Sequence, residues 1–217
     1  MSDPELVGSI ISEISNSKIK KLSLERVVAQ KHLINLGDNQ IEELYLHLMA
    51  TTKMGLLHLL QQIAPNIKKL DFGQIFIDRL NRLDPDHAEM LGKIISNLEE
   101  FSLTGMNMNS KASFSFISGL EDSKLERLTL YLNISRNEMS SDQLHELINS
   151  LRGSPIEHID ISFTVEIDCV EKVEIIVAAI LKVGIKYVKI SNLQFSSTKL
   201  FEMFTGMLTD CVTVIKS

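Results

Sequence analysis

Residues 156–161 read IEHIDI, and close variants of that phrase return along the whole 217-residue chain. The pattern apolar-x-x-apolar-x-apolar appears as IKKLSL (19–24), IEELYL (41–46), IKKLDF (67–72), LEEFSL (98–103), LERLTL (125–130), IEHIDI (156–161) and IKYVKI (185–190). The shortest step runs from 19 to 41 and the longest from 67 to 98 and from 125 to 156, a range of 22 to 31 residues. Within each phrase the alternating end fits a strand, whose successive side chains point to opposite faces. Seven copies mark a repeat architecture, in which each unit buries its apolar face against the next.

Between the copies the hydrophobic period changes from 2 to 3.6, the signal of helices. The clearest lies in MSSDQLHELINSLRGSP (139–155). Ser140 and Gln143 have capping-box spacing, Met139 and Leu144 sit where a hydrophobic staple closes the first turn, and Gly153 and Pro155 supply the stop. A second helix is expected from Asp168, with Glu171 completing another box, to Gly184. A third is expected after Asp84 as N-cap, with Pro85 in the first helical position. Weaker helical patterns cover 4–16, 52–64, 113–121 and 197–209, while AQKHLINLGD (29–38) is too short for a good helix. A strand and a helix in strict succession give parallel strands joined by helical crossovers.

The L-x-x-L-x-L phrase followed by a helix resembles the leucine-rich repeat, in its longer ribonuclease-inhibitor-like form, over about residues 4–209. The resemblance implies an α/β solenoid of about seven strand–helix repeats, with a parallel concave sheet and helices on the convex side. The family phrase continues to an Asn that hydrogen-bonds neighbouring backbone. Here only the fifth copy has it, as Asn133; the others carry Val27, Met49, Ile75, Met106, Thr164 and Leu193. Irregular turns are therefore expected, particularly in 72–86 and 104–113. One domain is expected over 1–217, with a capping helix in 1–18 and a C-terminal cap in 197–217 that includes a last short strand at 212–215.

Composition narrows the partners. The formal net charge is −6 with no long basic run, which argues against nucleic acid or an anionic membrane as ligand. The N-terminus carries acids where a secretory signal would carry Lys or Arg, and the two cysteines, Cys169 and Cys211, make no disulfide framework. Both are expected to pack as small apolar residues in or beside helices. A cytoplasmic setting and a monomer are expected.

In each phrase the first, fourth and sixth residues should face the core and the third, fifth and seventh should be displayed. Leu128, Leu130, Ile159 and Ile161 should thus be buried, and Thr129 and Asp160 exposed. The third positions Lys21, Glu43, Lys69, Glu100 and Arg127 alternate in sign across successive strands. All three tyrosines of the chain, Tyr45, Tyr131 and Tyr187, fall on displayed positions. The candidate protein-binding residues on this face are Tyr45, His47, Asp71, Arg127, Thr129, Tyr131, His158, Asp160, Tyr187 and Lys189. Tyr131 and Tyr187, flanking His158 with solvent-facing rings, are the expected anchors, since tyrosine often dominates protein interfaces.

Catalysis finds little support in these residues. His47, beside Glu25 and diagonal to Asp71, and His158, two before Asp160, lack the third convergent group that a metal or acid–base site needs. His32, His58, His87 and His145 read as positions without partners. No phosphate-binding loop, dinucleotide fingerprint or nucleophile elbow occurs, so no cofactor, metal or catalytic residue is expected. The leading expectation is a binding module that presents its concave face to a partner protein. The alternative is a catalytic regulator similar to the leucine-rich GTPase activators, for which Arg136-Asn137 is the only suggestive pair. Stand-alone small repeats also resemble secreted effectors of intracellular bacteria, which would place the chain in a host cytosol. A eukaryotic adaptor or a piece of a larger immune receptor fits the residues equally.

Overall fold

The structure, a computed structural model, describes residues 13, 18–29, 40–61, 63, 65–77, 82–120, 123–131, 140–153, 155–208 and 212–215. The expected capping helix, the segment 30–38, the staple residue Met139, Asn133 and Cys211 fall wholly or largely outside them.

Each phrase forms a strand in the register expected. The strands are β1 (Lys21–Glu25), β3 (Glu43–His47), β5 (Lys69–Gly73), β8 (Glu100–Thr104), β10 (Arg127–Tyr131), β11 (His158–Ile167) and β12 (Tyr187–Phe195). With β13 (Val212–Ile215) they form one eight-stranded sheet in the order β1-β3-β5-β8-β10-β11-β12-β13. Every pairing is parallel, and equivalent residues of the seven phrases lie opposite one another, Lys21 against Glu43 at one end and His158 against Tyr187 at the other. The class is α/β with a parallel sheet.

The inward rows explain why the spelling of the phrase is constrained. Leu44, Leu46, Leu70, Phe72, Phe101, Leu103, Leu128, Leu130, Ile159 and Ile161 are at most 2% exposed. They join one apolar cluster with the helices, reaching from Leu22 to Leu208. Burial of branched aliphatic and aromatic side chains, each contributing about 1.5–3 kcal/mol relative to exposure, drives this packing. The first copy is less covered, with Leu24 half-buried and Ile19 exposed.

The turn after each early strand is regular, contrary to the expectation drawn from the missing Asn. Arg26, Leu48, Gln74 and Gly105 occupy the same place in four successive copies and all have positive φ, from 51 to 69°. Each donates its N–H to the next strand: Arg26 to His47 O (3.0 Å), Leu48 to Gly73 O, Gln74 to Thr104 O and Gly105 to Tyr131 O (each 2.8 Å). The left-handed residue turns the chain inward, so that Val27, Met49, Ile75 and Met106 are buried where the family phrase would place Asn. The backbone thereby supplies an inter-repeat ladder without any amide side chain. Short strands follow: β2 (Val28–Ala29), β4 (Ala50–Thr51) and β6 (Phe76–Ile77) make a second parallel sheet, and β7 (Arg82–Leu83) pairs with β9 (Asn107–Met108). In the later copies β11 and β12 instead run on for ten and nine residues, with a register irregularity between Ser162 and Val165.

Only one of those four turn positions is glycine. At Gly105 (φ 69°) a Cβ would also come within 2.7 Å of Gln74 Cγ. Gly105→Ala is expected to cost about 1–2 kcal/mol from the left-handed backbone alone, read as a lower urea midpoint. An unchanged midpoint would show that the turn relaxes.

Among the described residues six helices cross between the strands: α1 (Lys53–Gln61), α2 (Pro85–Ile95), α3 (Ser110–Ser118), α4 (Ser141–Ser150), α5 (Val170–Val183) and α6 (Thr198–Met207). The Ser140–Gln143 capping box is present in both directions (3.0 and 3.1 Å). Pro85 opens α2 after Asp84, but the Asp84 carboxylate makes no cap bond and reaches Lys53 Nζ at 2.6 Å instead. Two expectations are corrected. The N-cap position of α5 is Cys169, not Asp168, with no side-chain cap bond and no box; Asp168 pairs with Lys172 (2.8 Å), four residues on. α3 starts earlier than expected, at Ser110, because the Asn109 side chain accepts the Ala112 N–H (2.8 Å). Gly184 (φ 77°) ends α5 in the left-handed conformation that glycine adopts without strain.

Candidate functional site on the outward face of the sheet

The third, fifth and seventh residues of each phrase face away from the apolar cluster, yet most are half-buried rather than exposed. Adjacent strands lie only about 4.8 Å apart, so long side chains lean on one another. This corrects the expectation for Thr129 and Asp160, both half-buried, and for the tyrosine rings, which are half-buried too.

The first rows form a charged ladder. Lys21 Nζ lies 3.6 Å from Glu43 and 4.5 Å from the Tyr45 ring centroid, while the Tyr45 hydroxyl donates to Glu43 at 3.0 Å. Lys69 pairs with Glu100 at 3.1 Å. A second ladder, not anticipated from the sequence, runs along the rim one residue earlier, where Glu42 joins Lys20 (2.6 Å) and Lys68 (3.3 Å). Hydrogen bonds from those two ammonium groups hold the Glu42 carboxyl below its usual range. Exposed pairs of this kind are screened by solvent and add little stability.

His47 Nε2 approaches Asp71 Oδ2 at 3.2 Å, and its ring lies over Gly73, where a Cβ would meet the imidazole at 3.1 Å. Gly73 is buried beneath that ring. Between Tyr45 and Thr129 lies a depression of about 120 Å³, lined by Tyr45, Lys69, Asp71, Glu100, Ser102, Arg127 and Thr129 over a floor of Leu70 and Phe101.

Five more of the candidate residues come together on β10, β11 and β12. Tyr131 donates its hydroxyl to Asp160 Oδ2, and Lys189 Nζ lies 3.1 Å from both the Tyr131 oxygen and the same carboxylate. The Lys189 ammonium also sits 5.5 Å from the Tyr131 ring centroid. Asp160 and Lys189 are well covered, with side chains 13% and 24% exposed, so this is the most enclosed ion pair of the face. The hydrogen bond to Tyr131 and then that to Asp160 raise the Lys189 pKa above its ordinary value. Burial first, then the bond to Asp160, raise that of the Tyr131 phenol. Next to this triangle His158 stacks on Tyr187, with centroids 4.2 Å apart and planes 15° from parallel. Of the two expected anchors, only Tyr187 engages His158; Tyr131 turns to Asp160. Position in the phrase identified each residue, but nothing in it signalled the diagonal pairing of a seventh position with the fifth position of the next strand.

His158 gives the face a pH dependence. Burial first, and the Arg127 guanidinium second, hold its pKa below the ordinary 6.5. With the folded-state value depressed, the unfolded chain takes up this proton first, so stability falls as pH drops through about 6.5. In urea titrations at about pH 7.5 and 5.5, the native protein is expected to lose more stability than His158→Gln over that interval. Equal losses would mean that the imidazole protonates as readily folded as unfolded.

Elsewhere the chemistry is sparse. No three His, Cys, Asp or Glu residues gather as a metal site among the described residues. Two histidines read as partnerless do have partners: His87 is buried with Nε2 2.9 Å from Lys53 O, and His145 Nε2 lies 2.8 Å from Asn149 Nδ2. Cys169 is half-buried rather than packed away, and Arg136-Asn137 lies outside the described residues. No helix among the described residues is long and apolar enough to cross a membrane. No protein-family model and no curated protein matches this chain.

Proposed function

We propose that this chain is a leucine-rich-repeat solenoid whose outward, concave sheet face binds a partner protein, with no catalysis of its own. The observation that carries this reading is the cluster on β10–β12, where Tyr131 is tied to Asp160 and Lys189 while Tyr187 lies flat on His158. Aromatic groups already held in place lose little conformational freedom when a partner covers them, which is what makes tyrosine an efficient anchor. The constant inward rows and varied outward rows support the same division of labour. Shape is common to every repeat, and recognition is written on one side.

Tyr187 is the better residue to test, because Tyr131 also holds Asp160. Tyr187→Ala is expected to weaken partner binding by about 2 kcal/mol, roughly 30-fold, with little change in melting temperature. Affinity capture from eukaryotic and bacterial lysates, quantified by mass spectrometry, would compare it with Glu99→Ala on the rim. Equal recovery of every captured protein by both variants would place the contact surface elsewhere.

A further inference from the structure

The charged ladder leaves one cation over. Lys21 has Glu43 and Lys69 has Glu100, but Arg127 is followed across the sheet by His158 and makes no ion pair or side-chain hydrogen bond among the described residues. Its charge is felt by its neighbour, since it helps to hold the His158 pKa down. Arg127 lines the depression of about 120 Å³ together with Thr129 and Ser102. Neither hydroxyl has a hydrogen-bond partner among the described residues. Of the two acids nearby, Glu100 is paired with Lys69, while Asp71 lies 3.2 Å from the His47 ring and its Oδ1 has no hydrogen-bond partner among the described residues.

We infer that this depression receives a carboxylate, an Asp or Glu side chain on an acidic segment of the partner protein. Arg127 grips it through its planar fork of N–H groups, and the Thr129 and Ser102 hydroxyls turn to donate to it. Guanidinium matches carboxylate geometry bidentately, and charge-assisted bonds of this kind are the strong ones. The inference rests on the sheet face being the binding surface and names the chemistry of its ligand.

The test is selection of a random twelve-residue peptide library, displayed on phage, against the full chain and against Arg127→Glu. Selected peptides are expected to carry Asp or Glu. Synthetic copies with that acid changed to Ala, or binding to Arg127→Ala, should be about 10- to 100-fold weaker. Arg127→Glu should select Lys- or Arg-bearing peptides instead. The Arg127 side chain is exposed and unpaired, so folding should survive; Arg127→Gln carries the same comparison if the reversal unfolds the chain. Peptides that need Tyr187 but show no enrichment in acids would sink the carboxylate inference and leave the binding face standing. Peptides indifferent to both Tyr187→Ala and Arg127→Glu, or no selection at all, would overturn both.

Discussion

Replacing Phe101 with alanine is expected to lower the unfolding free energy by about 3–5 kcal/mol. Phe101 is the fourth residue of the phrase in β8 and is 2% exposed. Its ring meets Phe72 of β5 edge-on at 6.4 Å and Phe116 of α3 at 6.3 Å. It therefore links three elements of consecutive repeats, and its loss removes contacts on both sides at once. Its neighbours Phe72 and Phe116 are themselves fully buried in dense packing, so the space left behind collapses only in part. For a chain of this size the melting temperature should fall by on the order of 10 °C. Phe101→Leu, which keeps much of the volume, should cost about 1.5 kcal/mol or less. Urea unfolding of the two variants checks the pair. A loss below about 1 kcal/mol for Phe101→Ala would mean that the aromatic cluster closes over the gap.

That residue also shows how far the sequence could be read. Position four of LEEFSL assigns Phe101 to the core as securely as Leu128 or Ile159, because a one-residue slip would turn every apolar residue of the phrase outward. Its partners are a different matter. Phe72 follows from strand register, whereas Phe116 depends on how α3 lies over the sheet, which no local pattern encodes. Helix starts divide in the same way. The Ser140–Gln143 box uses two reciprocal hydrogen bonds and is legible. The start of α5 is not legible in that way: Cys169 holds the N-cap position without a side-chain cap bond, and Asp168 pairs with Lys172 instead.

The turns were hidden for another reason. Arg26, Leu48 and Gln74 adopt positive φ without being glycine, so composition gives no sign of them. The inter-strand hydrogen bond that each makes, and the buried apolar residue that follows, offset a backbone strain of about 1–2 kcal/mol. On the displayed face the alternation of position fixed which residues are shown, all ten candidates included. It could not show that Tyr131 would reach Asp160, because that contact depends on the offset between neighbouring strands and on side-chain length.

The second large effect is expected where two glycines meet. Gly92 lies inside α2 and Gly119 follows α3, and their backbones touch. A Cβ on Gly92 would stand 2.6 Å from Phe116 O and 2.9 Å from Gly119 Cα; one on Gly119 would stand 2.6 Å from Gly92 C and Cα. Neither position requires glycine for its backbone angles, since Gly92 is helical and Gly119 has φ −80°. The requirement is space. In an open helix Gly→Ala stabilises by roughly 0.5–1 kcal/mol, because alanine loses less freedom on folding. Here the obstructing atoms are main chain and cannot rotate aside, so α2 and α3 must separate and loosen the shared core of Ala88, Leu91 and Phe116. Gly92→Ala is expected to cost about 3 kcal/mol, the upper end for overpacking. Gly206 in α6 is the matched control: nothing lies within 4 Å of its Cβ position, so Gly206→Ala should stabilise. The same substitution in two helices should thus move the urea midpoint in opposite directions. Adding Gly119→Ala to Gly92→Ala should cost less than the sum of the two, because one separation of the helices relieves both clashes. A stabilised Gly92→Ala would show that α2 and α3 do not pack backbone against backbone.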